Sequence, residues 1–227
     1  MPHRSKAVAA TCAALLAATV LPASASASTR AYYEGSVSAA ELLAQVGDCD
    51  RISDGRYRID ADEPADVPVC GTSDAVFWKA DMDIDCDGWP TEECNSDTDP
   101  YFQDATAVLD SEGDPLSSEF IPFIVVPTPS SRWDYRDSGI RAGSVAAVIY
   151  RGRVVYAVVG DVGPSKIIGE ASWATADALG IDPDPQTGGV NSGVTYIVFR
   201  DSQVSPVESH SAAVALGNRL ARDFVGR

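Results

Sequence analysis

The feature that most constrains the fold is an apolar, β-branched run, Val154–Val159, that stops abruptly at Gly160-Asp161. A segment with Gly and Pro follows, and a second short apolar run ends at Gly169-Glu170. β-branched runs bounded by Gly and Pro are typical of strands joined by tight turns. The pattern therefore predicts two buried strands, with one carboxylate just past the end of each.

These two carboxylates, Asp161 and Glu170, are nine residues apart. A carboxylate at the mouth of a rigid strand is held in place and still reaches solvent. Glycoside hydrolysis needs two such groups across a cleft, one as proton donor to the leaving oxygen and one as base or nucleophile. A simpler interpretation stays open, because an Asp beside Gly often only forms a turn and a Glu after Gly often lies at a solvated strand end.

The first residues have the features of a secretory signal peptide. Arg4 and Lys6 form a charged n-region, Ala7–Val20 is apolar and rich in Ala, and residues 23–27 hold two A-x-A cleavage sites. The apolar stretch is shorter than a membrane span requires. We therefore expect a secreted, extracellular protein with no membrane contact.

These features divide the chain into three expected segments. We expect a signal peptide over residues 1–27, an N-terminal tail over residues 28–40 and a single catalytic domain over residues 41–227. A domain of this length folds on its own, and we expect it to be a monomer.

Cleavage would remove Cys12 and leave four cysteines in an oxidising compartment. Two disulfides are expected from three possible pairings. The two short loops favour Cys49–Cys70 and Cys86–Cys94. The cysteine spacings are not those of a zinc site, and we expect neither a metal nor a cofactor.

The chain is strongly acidic. Its formal charge is −16, and loss of the two positive charges at Arg4 and Lys6 takes it to −18. Such a surface repels nucleic acid and attracts cations or polycations. Solubility alone is an equally good reason for an acidic surface.

Four aspartates alternate with apolar residues between Ala75 and Asp87, at positions 81, 83, 85 and 87. In a strand this period of two places Asp81, Asp83, Asp85 and Asp87 on one face. Their mutual repulsion calls for a metal, a cationic substrate or solvent. The D-x-D-x-D-G pattern from Asp83 lacks the Glu that a calcium loop has at position twelve, which here is Cys94. An EF-hand is therefore not expected, while a looser calcium site stays open.

The remaining elements are short. Ser38 and Glu41 form a capping box for a helix. Strands are expected at 56–60, 120–126, 143–150, 154–159 and 194–199, and further helices from Ser172 to Leu179 and from Ser209 to Val225. Many short strands, few helices and no βαβ alternation predict a mainly β (α+β) fold built on a small barrel.

Three isolated side chains have two interpretations each. Tyr101 and Trp133 lie in loops, where an aromatic ring either stacks on a sugar or packs over the core edge. His210 is the only His of the expected mature chain, which favours a structural or surface role over a catalytic one.

Two blocks together carry a family resemblance. The first block consists of Gly160–Pro164 and Lys166–Ser172, and the second is Met82–Gly88. A third, Ile121–Pro127, adds to them. On these residues the chain resembles the secreted chitosanases of glycoside hydrolase family 75, over roughly Glu41 to Phe224.

The resemblance implies a fold and a reaction. The fold is a six-stranded double-psi β-barrel. The reaction is endo-hydrolysis of β-1,4-linked glucosamine polymer (chitosan) with inversion, by an Asp/Glu pair that falls on Asp161 and Glu170. Glu170 is favoured as general acid and Asp161 as general base, and the opposite assignment stays open because sequence spacing does not say which environment is drier. We expect Asp83 and Asp85 to bind substrate amines, with Asp81, Asp87, Tyr101 and Trp133 as further substrate contacts.

Other classes of protein fit parts of the pattern. A non-catalytic wall-binding module would keep the barrel, and a peptidoglycan lytic transglycosylase would need a single acid. A calcium-dependent adhesion domain would use the aspartate strand. An aspartic protease fits poorly, because the segment from Asp161 lacks the hydroxyl residue of D-[TS]-G.

Overall fold

The computed structural model describes Met1 and residues 33–226. The expected signal peptide, past Met1, and the tail up to residue 32 lie outside the described residues. Among the helices that are described, none combines the length and the apolar character that crossing a membrane requires.

Within residues 33–226 the regular structure consists of three α-helices, one 3-10 turn and seven strands. The helices are α1 (Ala39–Ala44), α2 (Trp173–Leu179) and α3 (His210–Val225), and the 3-10 turn is Tyr135–Ser138. The strands are β1 (Cys70–Gly71), β2 (Ala75–Asp85), β3 (Phe123–Pro127), β4 (Val145–Tyr150), β5 (Arg153–Gly163), β6 (Glu170–Ser172) and β7 (Val190–Phe199).

Six of the strands close into a barrel. Its order is β2-β6-β3-β5-β4-β7, and β7 pairs back onto β2, while β1 adds to β2 outside the barrel. The β2–β6 and β3–β5 pairs are parallel, and the other barrel pairs are antiparallel. Closure removes the open sheet edges that would otherwise template association.

The barrel pairing has an internal two-fold relationship. Exchanging β2, β3 and β4 with β5, β6 and β7 converts β2–β6 into β3–β5 and β2–β7 into β4–β5, with the same direction in each case, and maps β3–β6 and β4–β7 onto themselves. The two parallel pairs exchange with each other in this operation. The expected double-psi β-barrel and the expected mainly β (α+β) class are therefore confirmed.

Buried apolar residues lie on both faces of the strands. Trp78 and Tyr196 belong to one cluster, which packs against α2, and Phe77 and Phe199 belong to the other, which packs against α1 and α3. Strands buried on both faces have continuous rather than alternating apolar sequences. This explains why β4 is buried at every position.

The helix signals in the sequence are confirmed. Ser38 and Glu41 form the capping box of α1. Ser172 and Ser209 cap α2 and α3, and each side chain accepts a hydrogen bond from a backbone N–H in the first turn.

Two strand predictions are wrong. Around 56–60 there are only isolated bridges, from Tyr57 to Val67 and from Arg58 to Ile167. The apolar run before Gly169 is a loop held by the main chain of Arg58, which bonds to both Lys166 and Ile168. Gly and Pro at the end of β5 turn the chain there, so strand pairing resumes only at the start of β6.

The described part of the expected tail is fixed to the barrel. The N–H of Glu34 donates to Val154 O at 3.0 Å, and its carboxylate accepts the N–H of Tyr156 at 2.7 Å. His210 Nε2 lies 2.8 Å from the second oxygen of Glu34. His210 therefore has the structural role that its isolation predicted.

Both favoured disulfides are present, Cys49–Cys70 and Cys86–Cys94. The second closes a loop of eight residues directly after β2. It fixes the segment that follows the aspartates of that strand.

Candidate active site

A cleft of about 760 Å³ opens where β2 and β5 end and β6 begins. The parallel pair β2–β6 places Asp83 beside Glu170, and the antiparallel pair β3–β6 places Ile124 beside Ala171. On the other side of β3, Val125 is the partner of Asp161. Three neighbouring strands thus bring the two predicted carboxylates to one opening.

The cleft is lined by carboxylates and by no Lys or Arg among the described residues. Its acidic lining residues are Asp60, Asp83, Asp85, Asp87, Asp99, Asp161, Glu170 and Asp184. Carboxylates crowded in a partly buried space raise each other's pKa and attract cations.

Glu170 is the first residue of β6 and follows Gly169, which has a positive φ of 126°. Its carboxyl group lies over Gly163, where a built Cβ would be 2.7 Å from Glu170 Oε2. Burial first, and then the charges of Asp83 and Asp161, raise the pKa of Glu170 to about 7. A carboxyl group of this kind still holds its proton near neutral pH and can donate it.

Asp161 lies within β5 rather than beyond its end. A bulge leaves Gly160 unpaired, and a built Cβ there would be 2.5 Å from Phe123 Cβ, so the position has no room for a side chain. Bulges of this kind re-aim the next side chain. The bulge sets Asp161 opposite Val125.

The carboxylate of Asp161 has partners that favour its charged form. One oxygen accepts the N–H groups of Ala107 and Val162, each at 2.7 Å. Burial raises the pKa of Asp161, and these two hydrogen bonds oppose that rise. Unlike Glu170, Asp161 is thus held by donors that stabilise an anion, which suits a general base.

Asp85 and Asp87 lie beside Asp161. Asp85 accepts the N–H of Asp87 at 2.9 Å, and Asp87 accepts the N–H of Gln103 at 2.7 Å. Burial and then Asp161 raise the pKa of Asp85 well above its ordinary value, and burial raises the pKa of Asp87 to about 6.

One carboxylate oxygen from each of Asp85, Asp87 and Asp161 lies within 4.8 Å of the others. Oxygen ligands of this type suit a hard cation such as Ca²⁺. Each of the three carboxylates already accepts a backbone N–H. We assign no metal to this trio.

Asp83 and Tyr101 both line the cleft, Asp83 from β2 and Tyr101 from a loop. Asp83 reaches solvent near the end of β2, but it lines the cleft, where partial desolvation of its carboxyl group and then the charge of Asp60 raise its pKa to about 6. Tyr101 lies in a loop with 86% of its side chain exposed. Both line the cleft with Asp85 and Asp87.

The structure does not bring Asp81 or Trp133 to the cleft. Asp81 is 3% exposed, because the β2–β7 register shifts between Ala80 and Met82 and breaks the alternation of the strand. Trp133 is 5% exposed, packs edge-on against Trp78 at 6.2 Å and donates from Nε1 to Ser138 Oγ at 2.9 Å. Trp133 thus has the core-packing role that was the alternative to sugar stacking.

Several cleft residues gave no signal in the sequence. They come from loops distant along the chain, and they include Asp60, Asp99, Gln103, Asp184 and Gln186. Asp99 is buried and accepts the N–H of Tyr101 at 2.8 Å. Acidic loop residues are common on such a chain, so only the folded barrel distinguishes these from the rest.

Comparisons with known proteins point to one family. Endo-chitosanase C of Aspergillus oryzae is 35% identical over 137 residues, which are 58% of this chain and 33% of that protein. Endo-chitosanase B of the same fungus is 32% identical over 126 residues, 52% of each chain. The chain thus spans about a third to a half of the length of these curated relatives.

A solved structure of the Streptomyces papain inhibitor aligns with 59% of this chain and 99% of its own, at 21% identity and a TM-score of 0.33. That similarity is too low to bear on function. The family model described as fungal chitosanase of glycosyl hydrolase group 75 matches residues 82–223, more than half of the chain, and includes Asp161 and Glu170. The chain belongs to the chitosanase family of glycosyl hydrolase group 75.

Proposed function

We propose that the protein is a secreted endo-chitosanase that hydrolyses β-1,4 bonds between glucosamine units by an inverting, two-carboxylate mechanism. The observation that carries the proposal is the contrast between Glu170 and Asp161 at one cleft. One carboxyl group holds its proton to a pH of about 7, and the other accepts two backbone N–H groups. Different environments for two carboxyl groups assign different roles to them.

The reaction uses the two groups on opposite sides of the bond. Glu170 donates its proton to the glycosidic oxygen as the bond to the anomeric carbon breaks. Asp161 accepts a proton from a water molecule, whose oxygen bonds to the anomeric carbon from the other face. One bond breaks and one forms on opposite faces of the anomeric carbon, so the product has the inverted configuration. A proton exchange with solvent then restores both carboxyl groups.

The charge of the cleft fits an aminosugar polymer. Each glucosamine unit carries one ammonium group, and the cleft presents carboxylates along β2 and in the loops around it. An exposed ammonium–carboxylate contact contributes only about 0–1 kcal/mol. Several of them along a polymer set its register and speed its encounter with the enzyme. In this proposal Asp83, Asp85 and Asp87 bind amines, and Tyr101 stacks on a sugar ring.

Secretion is part of the same proposal. The signal-peptide features before residue 28 support it, and so do the two disulfides, which persist in oxidising compartments. We propose that the secreted protein acts as a monomer on soluble chitosan.

The test is reducing-end release from highly deacetylated chitosan, with chitin and carboxymethylcellulose in parallel. Wild type should act on chitosan alone, and Glu170→Gln should lose activity by about a hundredfold or more. Glu112→Gln, at an exposed position outside the cleft, is the matched control and should retain full activity. Absence of release from chitosan by folded wild type would contradict the proposal and favour a polysaccharide-binding module.

A further inference from the structure

Asp81 is a buried acid for which the proposed reaction has no use. It is 3% exposed and lies in the middle of β2, at the point where the β2–β7 register shifts. Its Oδ1 is buried and has no hydrogen-bond partner. A buried carboxyl group without such a partner costs stability, so its presence in a native fold calls for an explanation.

The carboxyl group of Asp81 lies directly against the backbone that precedes Glu170. A Cβ built at Gly169 would be 1.9 Å from Asp81 Oδ1 and 3.3 Å from Ala80 Cβ. The carboxyl group of Asp81 therefore occupies the space that a side chain at position 169 would need. The carbonyl of Gly169 accepts the N–H of Asp83 at 2.8 Å, which ties the same residue to β2.

Asp81 itself is held in place from the other side. Its carbonyl oxygen accepts the hydroxyl of Tyr196 at 2.9 Å. The Tyr196 ring is fully buried and stacks on Trp78, with ring centroids 5.2 Å apart and an interplanar angle of 14°. A packed aromatic pair on β2 and β7 thus supports the residue that packs against the start of β6.

The groups around Asp81 keep its carboxyl group uncharged. The titratable groups that face it are Asp83 on β2, Asp60 in the loop before β1, Glu170 on β6 and Tyr196 on β7. Burial first, and then Asp83, raise the pKa of Asp81 to about 8. At neutral pH the side chain is therefore mostly a carboxylic acid, which asparagine resembles in shape and charge.

We propose that Asp81 is a positioning residue for Glu170: packed against Gly169, it fixes the start of β6 and so the place of the Glu170 carboxyl group in the cleft. It does not bind substrate amines, because it does not line the cleft. The inference rests on the proposed function, since it assigns Asp81 a role in placing the general acid.

The activity test compares Asp81→Ala with Asp81→Asn on chitosan. The alanine variant leaves a gap beneath Gly169, so kcat should fall about 10- to 100-fold while KM stays within about twofold, because small displacements of a reacting group cost this much. The asparagine variant keeps the shape and should retain kcat within about threefold. Asp62→Ala, at an exposed position away from the cleft, is the matched control and should match wild type.

A stability measurement tests the buried acid without using activity. Folding raises the pKa of Asp81 from 3.8 to about 8. Between these two pH values the Asp81 side chain is therefore more protonated in the folded state than in the unfolded chain. Stability contributed at this site therefore falls as pH rises through that window. The Tm difference between Asp81→Asn and wild type should thus be more positive at pH 7.5 than at pH 4.5.

Four outcomes would overturn the inference. They are an unchanged kcat in folded Asp81→Ala, an equal loss of kcat in both variants, a rise in KM at constant kcat, and a Tm difference independent of pH. If Asp81→Ala does not fold, Asp81→Ser is judged by the same criteria. Wild type that cleaves no chitosan would overturn the proposed function and this role together, whereas active wild type with an equally active Asp81→Ala would overturn this role alone.

Discussion

Asp83 on β2 is the register partner of Glu170 on β6 in the parallel pair that borders the cleft. The charge of Asp83 is the second largest cause, after burial, of the raised pKa of Glu170. The backbone pairing of β2 and β6 thus adds to burial in raising the pKa of the proposed acid. In the proposed mechanism, the pH dependence of chitosan hydrolysis therefore depends in part on this pairing.

The first prediction concerns the pH profile of kcat/KM on chitosan. In the proposed mechanism activity requires protonated Glu170, so it should fall as pH rises through about 7. The mechanism also requires ionised Asp161. Burial raises the pKa of Asp161 above the ordinary value of an aspartate, so activity should also fall as pH drops through this raised pKa. A bell-shaped profile is expected, and activity undiminished at pH 9 would contradict the assignment of Glu170 as acid.

The second prediction is that Asp83→Asn shifts the alkaline limb of that profile to lower pH. Removing a negative charge beside Glu170 lowers the pKa of Glu170, so the acid loses its proton sooner. The shift should appear in kcat/KM and also in the separate pH profile of kcat at saturating substrate, where weaker binding by the variant does not enter. Asp97→Asn, at an exposed position outside this cleft, is the control and should leave the limb in place.

The third prediction concerns substrate binding by the aspartate strand. Asp83→Asn combined with Asp85→Asn should weaken chitosan binding by about tenfold and reduce its dependence on salt, because two of the ammonium–carboxylate contacts are lost. Binding to an otherwise inactive Glu170→Gln background, measured at two salt concentrations, checks this. Unchanged affinity or unchanged salt dependence would show that these aspartates bind no amines.

The fourth prediction is steric and concerns Gly163, which is at the end of β5. A Cβ there would lie 2.7 Å from Glu170 Oε2 and 3.0 Å from Val125 Cγ1. Gly163→Ala should therefore displace the Glu170 carboxyl group and lower kcat at least tenfold with little change in Tm. Gly47→Ala, at a position with open space around its Cα and no positive φ, is the control for activity.

The fifth prediction concerns stability at the N-terminal segment. The hydrogen bond that His210 donates to the Glu34 carboxylate is the largest cause of the raised pKa of His210. A cation whose pKa is raised on folding stabilises the fold fully below its unfolded pKa of about 6.5, and this contribution is lost as pH rises through the folded pKa. His210→Gln should thus lower Tm more at pH 5.5 than at pH 8.5. The corresponding loss in the free energy of unfolding should be less than about 1 kcal/mol, because the pair is partly exposed.

Local signals in the sequence were sufficient for much of the fold. Ser38, Ser172 and Ser209 each cap the start of a helix. This signal is local, because each hydroxyl accepts a backbone N–H three residues further along the chain. The apolar runs of β4 and β5 were recognisable, since strands buried on both faces need continuous apolar residues. The barrel itself was implied by the family resemblance, and its pairings confirm it.

The errors share a physical cause, which is that bulges and loop contacts depend on distant residues. The alternation of the aspartates placed Asp81 with Asp83, but a register shift on β7 turns Asp81 into the interior. Asp161 was expected beyond a strand end and lies within β5, after the bulge at Gly160. Trp133 lies in a loop as expected, but its ring is buried against Trp78, 55 positions earlier in the chain, and does not reach the cleft.

The most direct test of the two-carboxylate account is the anomeric configuration of the first product. Proton NMR of a glucosamine hexamer digest, recorded within the first minutes, distinguishes the two anomers before mutarotation. The account predicts an α-configured new reducing end from wild type, and no product from Asp161→Asn. A β-configured first product would contradict it, because it would mean retention, with the two carboxyl groups about 5–5.5 Å apart rather than the 6.5–9.5 Å or so that an attacking water requires.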